Sequence, residues 1–99
     1  MAIVSEPLQF DWDAGNSGKN KRRHEVEDWE CEEVFFDPRK IMLKDRLHSG
    51  QEERFILLGK TRQERLLYLA FMIRNEKVRI ISARDVTKRK EIELDEKAN

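Results

Sequence analysis

Arg79 and Arg84 stand in VRIISAR (78–84), where Val78, Ile80, Ile81 and Ala83 otherwise ask for a buried strand. Arg54 opens a second apolar run, RFILLG (54–59), directly after Glu53, and Tyr68 lies inside a third, RLLYLAFMI (65–73). A guanidinium is a planar, permanently charged fork that meets phosphate oxygens two at a time, and aromatic faces stack on bases. Arginines on apolar strands with a tyrosine between them therefore have the makings of a phosphate or base platform. Beside such an anion a proton can be moved by the carboxylate of Glu53 or by the imidazole of His24 or His48, since imidazole titrates near neutrality. The residues alone do not choose one base.

The strands that carry these groups set what they can share. IMLK (41–44), RFILLG, RLLYLAFMI and VRIISAR read as four successive strands, separated by DRLHSGQEE (45–53), KTRQE (60–64) and RNEK (74–77). RLLYLAFMI is almost wholly apolar and is expected to be central and covered on both faces. A two-residue turn at Asn75–Glu76 pairs Ile73 with Val78, Met72 with Arg79, Phe71 with Ile80 and Ala70 with Ile81. Side chains alternate across a sheet, so Leu67, Leu69, Phe71, Ile73, Val78, Ile80 and Ser82 form a bulky core face, joined by Phe55 and Leu57. Tyr68, Ala70, Met72, Arg79, Ile81 and Ala83 form a thinner second face, joined by Arg54, Ile56 and Leu58. Arg84 has the opposite parity to Arg79, and the two can serve one site only if the strand twists or bulges between them.

The preceding half reads as helical. MAIVSEPLQ (1–9) is expected to be an extended arm, and the domain to run from 10 to 97. FDWD (10–13) alternates apolar and acidic residues, with Asp13 as an N-cap for a short helix over AGNSGKNKRRH (14–24), although Gly15 and Gly18 each weaken a helix by about 1 kcal/mol. VEDWECEEVFFDP (26–38) is a stronger helix, capped by Asp28, with its early glutamates favoured by the helix dipole. Its Cys31, Val34 and Phe35 point one way, to the core, and Asp37–Pro38 ends it. DVTKRKEIELDEK (85–97) reads as a closing helix. The class is α+β: two N-terminal helices, a four-stranded antiparallel meander and a C-terminal helix.

The composition removes several functions. Twenty basic and twenty acidic residues in 99 give a net charge of zero, so a uniformly basic nucleic-acid binder is not indicated. The single cysteine, Cys31, cannot form an internal disulfide, and with only His24 and His48 no metal-ligand spacing exists, so no metal site and no cofactor are expected. That thiol usage fits the cytoplasm. No apolar run reaches membrane-spanning length and no secretion signal is apparent. Basic runs such as KNKRRH (19–24) and KRK (88–90) are most simply solvated faces, and the Glu25–Glu33 acidic run argues against DNA binding through the first.

Taken in order, FDWD, Asn20, Arg23–His24, EEVFFDP, DRLHSGQEERFILLG, RLLYLAFMIR and VRIISARDVT resemble the BrnT toxins of type II toxin–antitoxin systems, from about Phe10 to about Lys90. The positions that match the family's pattern include Asn20, His24, Asp45, Arg46, His48, Ser49, Glu53, Arg54, Arg79, Ser82 and Arg84. Arg23 stands where the family usually has Lys, and Glu25 where it usually has Gly. The resemblance implies a RelE-like fold and a ribonuclease that cleaves messenger RNA without a metal. A BrnA-type antitoxin would neutralise it, and promoter DNA would be met only through that complex, which allows a dimer. On this reading Arg54 and Arg79, with Arg84 added by the resemblance, stabilise charge, and His24 or Glu53 handles the proton. Asn20, Arg23, Arg46, His48, Tyr68 and Ser82 would contact RNA. The rival reading is a partner-binding module with little or no catalysis, whose arginines hold an acidic antitoxin.

Overall fold

The structure, a computed structural model, describes residues 8–47 and 49–86. Two short helices, α1 (Lys19–His24) and α2 (Asp28–Val34), precede four strands: β1 (Ile41–Asp45), β2 (Arg54–Lys60), β3 (Leu66–Arg74) and β4 (Lys77–Asp85). The strands form one antiparallel sheet in the order β1-β2-β3-β4, so the α+β class and the meander stand as read. Asp85, expected to open the closing helix, still belongs to β4, and the Val86 N–H donates to the Leu66 carbonyl at 3.3 Å. The rest of that expected helix, and residues 1–7 of the expected arm, lie outside the described residues. Leu8 and Gln9 are not an arm: Leu8 packs on the core, and the Gln9 carbonyl accepts from the Val78 N–H at 2.9 Å.

The helices begin later than their sequences imply. Asp13 caps no helix: its carbonyl accepts from Asn16 and Ser17, a turn follows, and α1 starts after Gly18, whose φ of 72° only glycine adopts at little cost. Asp28 does not cap α2 either. Glu27 is the N-cap in a reciprocal capping box with Glu30, while the Asp28 carboxylate accepts from Ser17 Oγ at 2.7 Å and from the Gly18 N–H. Thus Asp28 ties the turn before α1 to the start of α2.

One layer of helix covers one face of the sheet. Val26, Cys31, Val34 and Phe35 are buried on Leu57, Leu67, Leu69, Phe71, Val78, Ile80 and Ala83, so the expected inward face of α2 is correct. Phe10, Phe35, Phe71 and Phe55 run through this core as a chain of ring contacts at 5.3, 5.0 and 5.4 Å. Gly59 permits the close approach: a Cβ there would lie 2.9 Å from Val34 Cγ1. Burial, and next the charge of Asp28, push the Cys31 thiol up to about 12, which makes it packing material rather than a nucleophile.

The Asn75–Glu76 turn is the tight two-residue hairpin, both residues at positive φ (53° and 63°), and three of the four expected pairs form. The fourth does not. Phe71 faces Ile80, but Ala70 faces Ser82, so the ladder shifts by one residue and Ile81 is extra. From there the parity of β4 inverts: Ala83 enters the core, and Ser82 leaves the face expected for it. β3 is also not covered equally on both sides; its burial alternates between buried and half-buried positions.

Glu25 closes α1 at φ 57°, in the left-handed region that costs an L-residue about 1 kcal/mol and glycine almost nothing. Glu25→Gly is therefore expected to stabilise the protein by about 0.5–1 kcal/mol. An unchanged or lower urea midpoint, at constant slope, would contradict this.

Candidate nucleic-acid interface

The inverted parity arranges the second face as cross-strand ranks. At one end Asp45, Arg54, Met72 and Arg79 stand opposite one another across the four strands. The middle rank is Leu43, Ile56, Ala70 and Ser82, and the far rank is Ile41, Leu58, Tyr68 and Arg84. Arg54, Arg79 and Arg84 thus share a face, which the regular alternation denied to Arg84. Tyr68 and Arg84 are directly paired, and the Arg84 guanidinium carbon lies 4.2 Å from the tyrosine ring centre, a cation–π contact. Arg84 Nη1 also donates to the Asp85 carbonyl at 3.2 Å. The face is not open throughout, since Leu58 is buried.

Arg79 is engaged within the chain. Its two terminal nitrogens donate to the two Asp13 carboxylate oxygens, each at 3.0 Å, and Nη1 lies 3.4 Å from Asp11 Oδ2. Gly15 leaves room for this: a Cβ there would meet Arg79 Nη2 at 3.1 Å, and the Gly15 N–H donates to the same Asp13 oxygen. The Arg79 hydrogen bonds hold the Asp13 carboxyl below its ordinary value, and Asp13 in turn raises Arg79. The alternation in FDWD, which puts Asp11 and Asp13 on one side of an extended segment, is the signal from which these partners were legible. By contrast, among the described residues no carboxylate pairs with Arg54.

The remaining expected residues scatter. Glu53 adjoins Arg54 but is exposed and paired with Lys44 at 3.2 Å. Ser49, whose hydroxyl donates to the Asp45 carbonyl and accepts from the Arg54 N–H, closes the β1–β2 loop. Arg46 is exposed on that loop, and His48 lies outside the described residues. Arg23 and His24 are exposed at the end of α1, and the His24 imidazole is near enough to Asp85 to help lower that carboxyl. Asn20 is buried, not presented to a ligand: its Oδ1 accepts from the Ala83 N–H at 2.9 Å.

One organising residue went unread. Arg65, at the foot of β3, donates to both oxygens of Asp85 at 2.7 and 2.9 Å, to Glu30, and to the Glu25 carbonyl at 2.9 Å. It joins the end of α1, the start of α2 and the end of β4, and so fixes where His24 stands relative to Arg84. Nothing in its sequence surroundings, KTRQERLL, distinguishes it from a solvated arginine.

Residues 12–90 match the family described as the ribonuclease toxin, BrnT, of type II toxin–antitoxin systems. The match spans most of the 99 residues, and the chain belongs to that family. It is accordingly a ribonuclease toxin with an antitoxin protein as its partner. No curated protein gives a significant match. Among the described residues no helix is long and apolar enough to cross a membrane.

Asp13 and Asp85 both have carboxyls held below the ordinary value of 3.8, chiefly by the hydrogen bonds of Arg79 and Arg65. A lowered folded-state value favours folding above the unfolded value, and that contribution is lost as pH falls through the folded one. Stability is therefore expected to decline below about pH 4, and more shallowly in Asp85→Asn than in the parent. Equal acid slopes in denaturation titrations of the two proteins would show that the Arg65 pair is not the cause.

Proposed function

We propose that the chain cleaves messenger RNA without a metal, on the second face of the sheet, and that a BrnA-type antitoxin neutralises it in the cytoplasm. The observation that carries this reading is the β4 bulge at Ile81, which sets Ser82 and Arg84 beside Tyr68 on the face that also bears Arg54 and Arg79. A RelE-like relationship is consistent with the helix–helix–meander order.

The chemistry needs no group the chain lacks. The 2′-oxygen of a ribose attacks the adjacent phosphorus, the bond from phosphorus to the 5′-oxygen breaks, and a cyclic phosphate and a 5′-hydroxyl result. A base takes the 2′-hydroxyl proton, an acid supplies one to the departing oxygen, and cations stabilise the extra charge on the phosphorane. In this reading Arg84, held against Tyr68, and Arg54 carry the charge stabilisation, and the Tyr68 ring is a stacking surface for a base. Arg79 reaches a phosphate only by exchanging Asp13 for it, so its first role is to seat the N-terminal segment. His24, beside Asp85, and Glu53, beside Arg54, are the two proton carriers, and they belong to opposite ends of the face. Ser82 and Arg46 are further RNA contacts.

One observation favours the non-catalytic module instead: Asp11 and Asp13 already occupy Arg79 as an acidic antitoxin segment would. Cleavage of single-stranded RNA by the isolated protein in EDTA separates the two. Arg84→Ala is expected to slow cleavage by about a hundred- to thousandfold. His24→Ala and Glu53→Gln are then compared, and the slower variant names the base. If parent and Arg84→Ala are equally inert while both still bind antitoxin, the ribonuclease reading of this copy is wrong.

A further inference from the structure

Two buried asparagines grip β4 on either side of its extra residue. Asn16 Nδ2 donates to the Ile80 carbonyl at 3.2 Å, and Asn20 Oδ1 accepts from the Ala83 N–H at 2.9 Å. Asn16 also holds the N-terminal segment, through the Asp11 carbonyl at 2.9 Å and the Asp13 N–H at 2.8 Å. Asn20 keeps its Nδ2 buried without a partner among the described residues, so this side chain is retained for its oxygen.

The spacing of the gripped groups says what the asparagines select. In a regular antiparallel strand, the N–H and C=O of successive residues point alternately toward and away from the neighbouring strand. Val78 points away from β3: its N–H donates to Gln9 and its carbonyl accepts from Asp11. Ile80, two residues on, also turns its carbonyl away, onto Asn16. In an unbroken strand the next outward residue is Ser82, and the Ala83 N–H turns inward to β3. Here it is Ala83 that points outward, because Ile81 is extra and Ala70 faces Ser82. The Asn20 bond therefore exists only in the bulged register, the one that sets Arg84 opposite Tyr68. In the unbulged register Asn20 Oδ1 loses its donor, and Ser82 and Arg84 turn to the core side.

We propose that Asn16 and Asn20 are positioning residues of the ribonuclease: they lock the bulge of β4 and so keep the Arg84 guanidinium against Tyr68. The proposal rests on the reading of the second face as the place where RNA is cut. Neither asparagine touches substrate in this scheme. Asn20 acts through Arg84, in place of the RNA contact that the resemblance implied. Removing its oxygen leaves the Ala83 N–H buried and unpaired in the bulged register only, which tips the strand toward the unbulged one.

The test is cleavage of single-stranded RNA by the full chain in EDTA, with kcat and KM measured separately. A cation that acts on the phosphorane alone is read in kcat. Asn20→Ala is expected to lower kcat by about tenfold or more and to leave KM within about twofold. In an Arg84→Ala background it is expected to change nothing further, since the side chain it positions is gone. Deletion of Ile81 supplies the rescue. With the extra residue removed, plain alternation sets Ser82 opposite Ala70 and Arg84 opposite Tyr68 without a lock, so Asn20→Ala is expected to cost less than about twofold there. Asn16→Ala, which spares the Ala83 bond, carries the same comparisons if Asn20→Ala does not fold. Parental kcat in the folded variant, or the same loss with and without Arg84 or with and without Ile81, overturns the lock and leaves the ribonuclease reading standing. A parent chain inert toward RNA overturns both.

Discussion

The second face of this sheet carries Ser82 and Arg84 because β4 contains one residue too many. Without the bulge at Ile81, Ser82 would join the core side and Arg84 would point away from Arg54 and Tyr68. An extra residue in an edge strand leaves backbone groups unpaired, and the chain satisfies them with two asparagines. Asn16 Nδ2 donates to the Ile80 carbonyl at 3.2 Å, just before the bulge, and Asn20 Oδ1 accepts from the Ala83 N–H at 2.9 Å, just after it. Both side chains are buried, so each bond replaces a partner that water could not supply. Asn20 leaves its own Nδ2 without a partner among the described residues. That cost is tolerable only because the alternative is an unsatisfied backbone N–H in the same place.

The zero net charge has the same local character. Arg79 is answered by Asp11 and Asp13, Arg65 by Asp85 and Glu30, Arg74 by Glu52, and Lys44 by Glu53. The last two pairs are exposed and contribute little to stability. The first two seat elements that the core does not reach directly: Arg79 holds the 11–13 segment, and Arg65 draws the helix ends onto the foot of the sheet. Arg79 thus anchors chain, while Arg84 leans on the Tyr68 ring.

Strand limits, strand order and the tight hairpin were legible because they rest on alternation and a two-residue turn, both local properties. So was the core face of α2, from Cys31, Val34 and Phe35. The bulge was not. Ser82 and Ala83 are small enough to suit either face, so nothing in SAR marks the inversion except Arg84 itself, which would otherwise stand on the core side. The caps misled for a related reason: Asp13 and Asp28 are good N-cap residues by type, but each finds a better partner elsewhere, Arg79 for one and the Ser17–Gly18 turn for the other. Asn20 stood as an RNA contact on the resemblance alone, and side chains that hold backbone use the same atoms as side chains that hold ligand. Tertiary partners of this kind, separated by more than sixty residues for Asn20 and Ala83, leave no periodic trace.

The helix side of the molecule and the arginine face of the sheet are separate surfaces. α2 covers the core face, so the open groove between Trp29, Phe36 and the β2–β3 turn looks away from the rank of Tyr68 and Arg84. The β2–β3 turn runs through Arg65 directly into β3, and Tyr68 lies three residues beyond Arg65 on the opposite side. A carboxylate and a phosphate oxygen compete for a guanidinium fork with the same geometry. Asp13 on Arg79 already demonstrates, within the toxin's own sequence, that a carboxylate fits such a fork at 3.0 Å on both oxygens.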